Sequence, residues 1–585
     1  MEATKEYRKE KDTLTTEEHP LLLMLKDLDI TFYSGVTGGG VIHFLKYIPQ
    51  YDKESEHDFS FLSIAEYTAG FIPLGHFLAS GKVSAAIATT GAASKLIACG
   101  MSDAKLHNIP SIYIIPETDS DYLAPGALQD SSVFGNNIVP QIQAELPEST
   151  FILNESFSFA DHIKKIHRFI KEGKPMAFIL TKHSEKLHYD NVLKLSDLQD
   201  DNEGEKLSLQ EETLSFIAKF KKAVHHKRLV IIVGEELIHC SEAKKMTTLL
   251  SEGLQAETIY SMNGANSVSR KNEYGFGHIG FGGNDLATDV FESITKEDCV
   301  LLLGLCADEY TTNFKEIEAE DVFYISYAKN IYGLIDNEMS HFINGNLHKI
   351  QGDLDYILNE LVEDIQREEY SNIPAEKAPQ NLNKTAFNVS RKGYVDMVDL
   401  YTKLDYLWPE NSFAVKDVCM VYKDHQYVIS RPNDNIDFIS LYRGSAMGGA
   451  FGVAVGAKIA APEKNVYCFT GDGCFRLFAG NMAEAADLGI VVFLLNNRTL
   501  GIVSQGLQKV LPDMDEEAYH SYLKSIDYCA VANSFGWKSF KLLSDLSNLK
   551  YIFEQINPGM RQSVLIELDV DPDQNLGNNP RLKNL

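Results

Sequence analysis

The sequence predicts an α/β protein with three doubly wound parallel-sheet domains. Its 585 residues are enough for about three to four domains of ordinary size. The apolar segments are short, continuous and bounded by glycine or proline, which is typical of strands buried on both faces of a parallel sheet. Charged, polar stretches interrupt this pattern at about 184–212 and 366–392, and we interpret both as linkers.

Predicted strands occur in each of the three blocks that the linkers separate, and helical segments lie between them. They are the runs 83–91 and 111–116 in the first block, 229–234 and 300–304 in the second, and 466–473 and 491–497 in the third. The predicted domains are 15–190, 205–365 and 390–575.

The charge balance excludes several classes of partner. Against 82 Asp and Glu the chain has 54 Lys and Arg, a net charge of −28, so nucleic acid and anionic membrane surfaces are not expected partners. Its 8 cysteines are scattered, without a Cys-x-x-Cys pair, which is typical of free thiols in a reducing compartment. The first twenty residues are highly charged and lack an apolar run. We therefore expect neither a signal peptide nor a membrane anchor, and predict a cytoplasmic protein.

Two predicted strand ends in the third block carry polar groups that suit a phosphate-bound metal ion. The strand 466–473 ends in Gly471-Asp472-Gly473, a helix-like stretch (AGNMAEAADLG) follows, and the next strand ends at Asn497. Because the carboxyl ends of neighbouring parallel strands meet at one edge, Asp472 and Asn497 should converge. Carboxylate and amide oxygens suit Mg²⁺ or Ca²⁺, and glycines let the backbone approach phosphates. An ordinary strand-to-helix turn explains the glycines equally well when they are considered alone.

This GDG and NN pair resembles the signature of thiamine diphosphate enzymes, and the stretch GSAMGGAFGVAVGAKIAAPEKNVYCFTGDGCF is similar to the acetolactate synthase and pyruvate oxidase branch. The resemblance implies that Asp472 and Asn497 bind Mg²⁺ through their side chains and Thr499 through its main-chain oxygen. It implies that Gly471 and Gly473 lie at the cofactor and that Met447 lies beneath it. Ordinary core packing is the alternative for Met447.

A second match lies in the first block, where Glu66 precedes Gly75 by nine residues and the TTGAASKL turn follows. It resembles the pyrimidine-binding domain of the same family, so the three domains become pyrimidine-binding, central and diphosphate-binding. A carboxyl group on a pyrimidine nitrogen can promote the proton transfer that activates the cofactor, which makes Glu66 a catalytic candidate. The alternative is a solvated residue at a helix start.

Two more residues are carried over from the resemblance. Gly38 lies in the segment FYSGVTGGG, which resembles a glycine-rich loop of the family, although Thr37 replaces its usual proline. The resemblance makes Gly38 a cofactor-binding candidate, and an ordinary glycine-rich loop after the first strand is the alternative. Gln129 lies in GALQDSSVFG, which resembles a segment that acetolactate synthases place in the partner subunit's active site. Gln129 is therefore a second catalytic candidate, and the resemblance implies a homodimer or homotetramer with active sites at the subunit interface.

The resemblance favours a carboligase, a lyase or transferase that decarboxylates a 2-oxo acid such as pyruvate and transfers the acyl anion equivalent to a carbonyl acceptor. Some decarboxylating relatives have a histidine where this chain has Thr89. Simple decarboxylation and carbon–carbon cleavage of a diketone remain alternatives. A non-catalytic regulatory subunit is a third hypothesis, which the presence of Glu66, Asp472 and Asn497 weakens.

FAD is not an expected cofactor. The Gly-x-Gly-x-x-Gly pattern at 275–280 follows a polar run instead of a predicted strand, so it lacks the context of a dinucleotide fingerprint. Where the family has an arginine after the strand 300–304, this chain has Cys306. The acidic residue expected after the strand VFYIS (322–326) is also missing.

Overall fold

The computed structural model describes residues 18–53, 59–118, 128–189, 203–328, 339–556 and 559–584. These residues form three six-stranded sheets in which all neighbouring strands are parallel, which confirms the predicted fold class. None of the described helices combines the length and apolar character needed to cross a bilayer. Most of the charged N-terminal segment behind the cytoplasmic prediction lies outside the described residues.

The first sheet has the strand order of a doubly wound fold. Its strands are β1 (Phe32–Gly35), β2 (Ser60–Ser63), β3 (Ala85–Ile87), β4 (Ile112–Pro116), β5 (Thr150–Leu153) and β6 (Met176–Leu180). Its helices are α1 (Pro20–Asp27), α2 (Ile42–Leu45), α3 (Glu66–Ser80), α4 (Ala93–Leu106), α5 (Ile138–Glu145) and α6 (Phe159–Lys171). The order β2-β1-β3-β4-β6-β5 places the topological switch point between β1 and β3, where ligands of such folds bind.

The second sheet has the order β12-β11-β10-β7-β8-β9, with its switch point between β7 and β10. Its strands are β7 (Leu229–Val233), β8 (Glu257–Tyr260), β9 (Gly275–His278), β10 (Cys299–Leu303), β11 (Ile317–Ser326) and β12 (Ile343–Gln351). Its helices are α7 (Glu203–Ala223), α8 (Ala243–Leu254), α9 (Asp285–Glu292) and α10 (Leu354–Arg367). Helix α7 begins inside the predicted linker 184–212, and the glycine pattern 275–280 starts on β9 itself.

The third sheet repeats the topology of the first, with the order β14-β13-β15-β16-β18-β17 and its switch point between β13 and β15. Its strands are β13 (Ser412–Lys416), β14 (Ile436–Ser440), β15 (Asn465–Gly471), β16 (Val491–Asn496), β17 (Lys538–Lys541) and β18 (Val564–Asp569). Its helices are α11 (Met397–Asp405), α12 (Val421–Val428), α13 (Gly449–Ala460), α14 (Asp472–Phe478), α15 (Gly501–Val510), α16 (Tyr528–Ser534) and α17 (Leu549–Gln555).

One predicted helix differs from the structure. The helix α14 starts at Asp472, directly after the strand, and the stretch that we expected to be helical contains the short 3-10 turns Ala479–Asn481 and Ala483–Ala485. Glycine and asparagine in this stretch have low helix propensity, which explains the early end of α14.

Helix α3 of the first domain packs along α13 of the third domain. A Cβ atom on Gly75 would overlap the main-chain carbonyl of Val453, and one on Gly456 would overlap a carbonyl of α3, so both positions require glycine for this close approach. Because α3 begins at Glu66 and α13 follows shortly after Met447, the contact fixes the relative positions of two predicted site residues.

Candidate active site

Asp472 and Asn497 lie side by side at the carboxyl edge of the third sheet, as their positions in the sequence predict. The strands that end before them, β15 and β16, are paired, with Gly471 opposite Leu495. The Asp472 carboxylate accepts hydrogen bonds from the main-chain N–H groups of Arg498, at 2.9 Å, and Gly473, at 3.1 Å. The first of these bonds ties the end of β15 to the loop after β16.

Both residues line a cavity of about 130 Å³. Of the predicted site residues, this cavity is lined by Met447, Gly471, Asp472, Gly473, Asn497 and Thr499. Its other walls are mostly apolar and are formed by Val418, Cys419, Met420, Cys474, Leu495, Leu500, Gly501, Ile502, Val503 and Val570. The cavity therefore combines an apolar lining with a carboxylate and an amide at one end.

Close packing around Gly473 excludes a side chain at this position beside Asp472. A Cβ atom on Gly473 would lie 2.8 Å from Leu500 and 3.4 Å from Met447, so a larger residue there would displace side chains that line the cavity. Burial raises the pKa of Asp472 to about 6, and its hydrogen bonds from main-chain N–H groups oppose this rise. A buried carboxylate with a neighbouring amide oxygen suits a divalent cation, because the cation replaces the lost hydration.

Met447 lies at the turn before α13. The next residue, Gly448, has a φ of +82° and forms the N-cap of that helix, a backbone conformation that favours glycine. The hydroxyl of Tyr67, which follows Glu66 on α3, donates a hydrogen bond to the main-chain oxygen of Met447. The first domain thus contacts the turn that carries Met447 within the same chain.

The other predicted site residues lie at the carboxyl edge of the first sheet. Gly38 follows β1, Glu66 follows β2, and Gln129 follows β4. Gly38 lies against Thr89, since a Cβ atom there would be 2.6 Å from the threonine methyl. Gln129 packs beside the loop after β3 and has a φ of +58°. Part of the segment around it, 119–127, is outside the described residues.

Glu66 is half-buried at the first turn of α3. The residue before it, Ala65, donates its main-chain N–H to Asn481 of the third domain at 3.2 Å. Glu66, Gly38 and Gln129 are not among the residues that line the Asp472 cavity. One chain therefore contains two separate groups of predicted site residues, one at the edge of the first sheet and one at the edge of the third.

Residues 419–568 match the family described as thiamine pyrophosphate enzyme, C-terminal TPP binding domain. The acetolactate synthase isozyme 1 large subunit of Escherichia coli (strain K12) is 23% identical over 573 residues, covering 94% of this chain and 93% of that protein. The acetolactate synthase large subunit of Buchnera aphidicola subsp. Acyrthosiphon pisum (strain APS) is 22% identical over 487 residues, covering 80% of each. The chain is a thiamine diphosphate-dependent, acetolactate synthase-like enzyme.

A solved structure agrees with this enzyme over nearly its whole length. It is the thiamine diphosphate-dependent 4-hydroxybenzoylformate decarboxylase of Rhodococcus jostii RHA1, with a TM-score of 0.69 and 14% sequence identity. The match covers 94% of this chain and 98% of that one. It supports the three-domain fold.

The switch point of the enzyme's second sheet is filled by a third-domain side chain. Glu235 follows β7 and Asp308 follows β10, and Arg443 forms ion pairs with both, at 2.9 Å to Asp308. The Arg443 guanidinium also donates to the main-chain oxygen of Leu106 in the first domain at 2.6 Å. Only 6% of the Arg443 side chain is exposed. Because Arg443 belongs to the third domain and contacts residues of the other two, this buried cation connects all three domains.

The loop Val418–Met420 forms one wall of the cavity and was not among the predicted site residues. This loop follows β13, a strand buried along its whole length that pairs with β15. Asp472 was found because polar or flexible residues follow a buried strand there. The same pattern would have indicated the loop Val418–Met420 if the run 412–416 had been identified as a strand.

Proposed function

We propose that this enzyme decarboxylates a 2-oxo acid, with pyruvate as the simplest donor, and transfers the acyl anion equivalent to a carbonyl acceptor. The observation that carries the proposal is the cavity at the carboxyl edge of the third sheet, where Asp472 and Asn497 meet within the segment that matches the thiamine pyrophosphate family. The similarity to acetolactate synthases supports the hypothesis that the enzyme is a carboligase.

In this proposal, Mg²⁺ is held by the side chains of Asp472 and Asn497 and by the main-chain oxygen of Thr499. These are hard oxygen ligands of the type that Mg²⁺ prefers, and phosphate oxygens would complete the set. Gly471 and Gly473 would let the backbone approach the diphosphate. When bound, thiamine diphosphate supplies a stabilised carbanion and an electron sink, and the protein supplies orientation and proton transfer.

The proposed role of Glu66 is to hold a proton at the pyrimidine ring nitrogen of the cofactor. Glu66 lies at the first turn of α3, and the hydrogen bond between Ala65 and Asn481 holds this turn in position. The main chain of Glu66 is therefore fixed at the edge of the first sheet. Gln129, at the same edge, would contact the substrate. The proposed roles of Glu66 and Gln129 require the edge of the first sheet to face a cavity that contains Asp472.

We propose that a second copy of the chain provides this arrangement. Glu66 and Asp472 do not share a cavity within one chain, so a homodimer that apposes the two sheet edges would complete two active sites. Large exposed apolar side chains lie near both edges: Leu128, Val133 and Phe134 beside Gln129, and Leu477, Val503 and Tyr522 beside the cavity. Exposed apolar patches of this kind mark interfaces, and a homotetramer would be the next larger assembly.

We propose that catalysis proceeds without FAD. The support is the switch point of the second sheet, where a dinucleotide would bind but where Arg443 pairs with Glu235 and Asp308. The Arg443 guanidinium is already paired with both buried carboxylates, so the cluster has a net negative charge that would disfavour a diphosphate bridge. The purified enzyme is expected to show no flavin absorbance, and added FAD is expected to leave its rate unchanged; a flavin-dependent rate would contradict this.

The proposed function is tested by incubating the purified enzyme with thiamine diphosphate, Mg²⁺ and carbon-labelled pyruvate, with and without aldehydes or diketones, and identifying the products by NMR. Labelled acetolactate or acyloin is the expected result. Acetaldehyde as the sole product would indicate that the enzyme is a simple decarboxylase and not a carboligase. If pyruvate is unchanged while an added diketone is cleaved, the enzyme is instead a diketone-cleaving one.

A further inference from the structure

We infer that Asp417 is a positioning residue that holds three walls of the cofactor cavity in place, a role that rests on the proposed cofactor site. Asp417 directly follows β13 and is 1% exposed. Because the switch point of the third sheet lies between β13 and β15, Asp417 and Asp472 follow the two strands that flank it. Asp417 was not among the site residues predicted from the sequence.

The Asp417 carboxylate accepts hydrogen bonds from the residue that follows it and from two other segments. One oxygen accepts the main-chain N–H of Val418 and that of Gly448, each at 2.9 Å. The other oxygen accepts the hydroxyl of Thr470 at 2.8 Å. A buried carboxylate is tolerated when its oxygens are bonded in this way, and its partners are then held in a single arrangement.

Each of these partners lies in, or directly next to, a segment that lines the cavity. Val418 begins the loop that also contributes Cys419 and Met420. Gly448 follows Met447 and holds the left-handed turn at the start of α13. Thr470 precedes Gly471, the last residue of β15, and Asp472, and both of these line the cavity. Asp417 itself is not one of the lining residues, so it would act on the cofactor through these three segments.

The chain offers a matched control in Asp424. This carboxylate is 3% exposed, lies in the same domain on α12, and is paired with Lys423 at 2.9 Å. Lys423 also bonds to Asn575 near the C-terminus, at 2.8 Å. Asp424 does not line the cavity. Its loss should affect packing as much as the loss of Asp417 does, without loosening the cavity walls.

The experiment measures binding of thiamine diphosphate in the presence of Mg²⁺ by calorimetry, together with the KM for the cofactor and kcat. Asp417→Ala is expected to raise the dissociation constant roughly ten- to hundredfold, the range given by hydrogen bonds to a charged group, while kcat at saturating cofactor changes much less. Asp417→Asn should restore most of the affinity, because its amide oxygen can accept both N–H groups. Asp424→Ala should lower the Tm but leave the dissociation constant within about twofold of the wild type.

Thr470→Val keeps the experiment decisive if Asp417→Ala does not fold. It removes one hydrogen bond with little change in shape, so it should weaken cofactor binding roughly three- to tenfold. Wild-type affinity in Asp417→Ala or in Thr470→Val would overturn the inference, and so would equal losses of affinity in Asp417→Ala and Asp424→Ala. If the wild-type enzyme itself does not bind thiamine diphosphate with Mg²⁺, the proposed function fails, and the role of Asp417 fails with it.

Discussion

Replacing Gly75 by alanine would push apart the two helices that join the first and third domains. A Cβ atom at this position would lie 2.6 Å from the carbonyl carbon and 2.7 Å from the Cα atom of Val453 on α13. Ordinary contacts of a Cβ atom are 3.4 Å or longer. The obstacle is main chain and cannot rotate away, and the carbonyl oxygen of Val453 lies closer still, so α3 and α13 must separate by more than roughly 1 Å.

The expected cost follows from these distances. Overpacking of a tight core typically costs about 1–3 kcal/mol, and a rigid main-chain obstacle places Gly75→Ala near the upper end. Alanine recovers about 0.5–1 kcal/mol through its higher helix propensity. The net loss is therefore about 2 kcal/mol, which corresponds to a fall in Tm of roughly 4–8 °C for a domain of about 150–250 residues that unfolds as one unit.

The assay is thermal unfolding at one fixed scan rate, with activity measured on the same preparation, because a chain of this size need not unfold reversibly. Activity should also fall, since α3 carries Glu66 at its first turn and Tyr67 bonds to Met447. Gly480→Ala is the matched control, because a Cβ atom there meets nothing within 4 Å. It should change the Tm by less than about 2 °C.

An unchanged Tm for Gly75→Ala would refute this reasoning, because it would mean that α3 and α13 are not in close contact. Equal losses for Gly75→Ala and Gly480→Ala would refute it too, since only the first substitution creates a clash. Loss of activity without loss of stability would indicate that Gly75 acts on the site and not on the packing.

Three further substitutions test other parts of the molecule. Glu66→Gln should lower kcat roughly 10²- to 10⁴-fold at unchanged Tm, as expected for a proton-transfer group, and full activity would exclude that role. Asp472→Ala should weaken Mg²⁺-dependent binding of thiamine diphosphate by more than roughly 100-fold in calorimetry, and wild-type affinity would show that the metal lies elsewhere. Burial raises the pKa of Glu236 from 4.5 to about 7, so the folded state favours the protonated carboxyl group. This preference stabilises the folded state by about 3 kcal/mol at most below pH 4.5, and that contribution is lost as the pH rises from 4.5 to 7. In Glu236→Gln, which cannot ionise, the Tm should fall less between pH 5 and 7.5 than in the wild type; parallel profiles would contradict the shift.

Local sequence patterns were sufficient to locate the strands that form the sheet centres. The runs 466–473 and 491–497 appear as β15 and β16, because strands buried on both faces need continuous apolar residues. The linker prediction was less accurate, since residues 203–212 begin the helix α7. Glutamate, lysine and leucine in this segment are good helix formers, so its charge did not exclude a helix.

The sequence by itself determined the fold class and the convergence of Asp472 with Asn497, because both follow from residues close to a strand end. Only the tertiary structure decided that Asp417, Gly448 and Thr470 meet, since the strand order that brings them together is not encoded in any local pattern. It also decided that Glu66 lies outside the Asp472 cavity within one chain. The physical reason is that local propensity sets where strands begin and end, whereas the packing of distant segments sets which strand ends become neighbours.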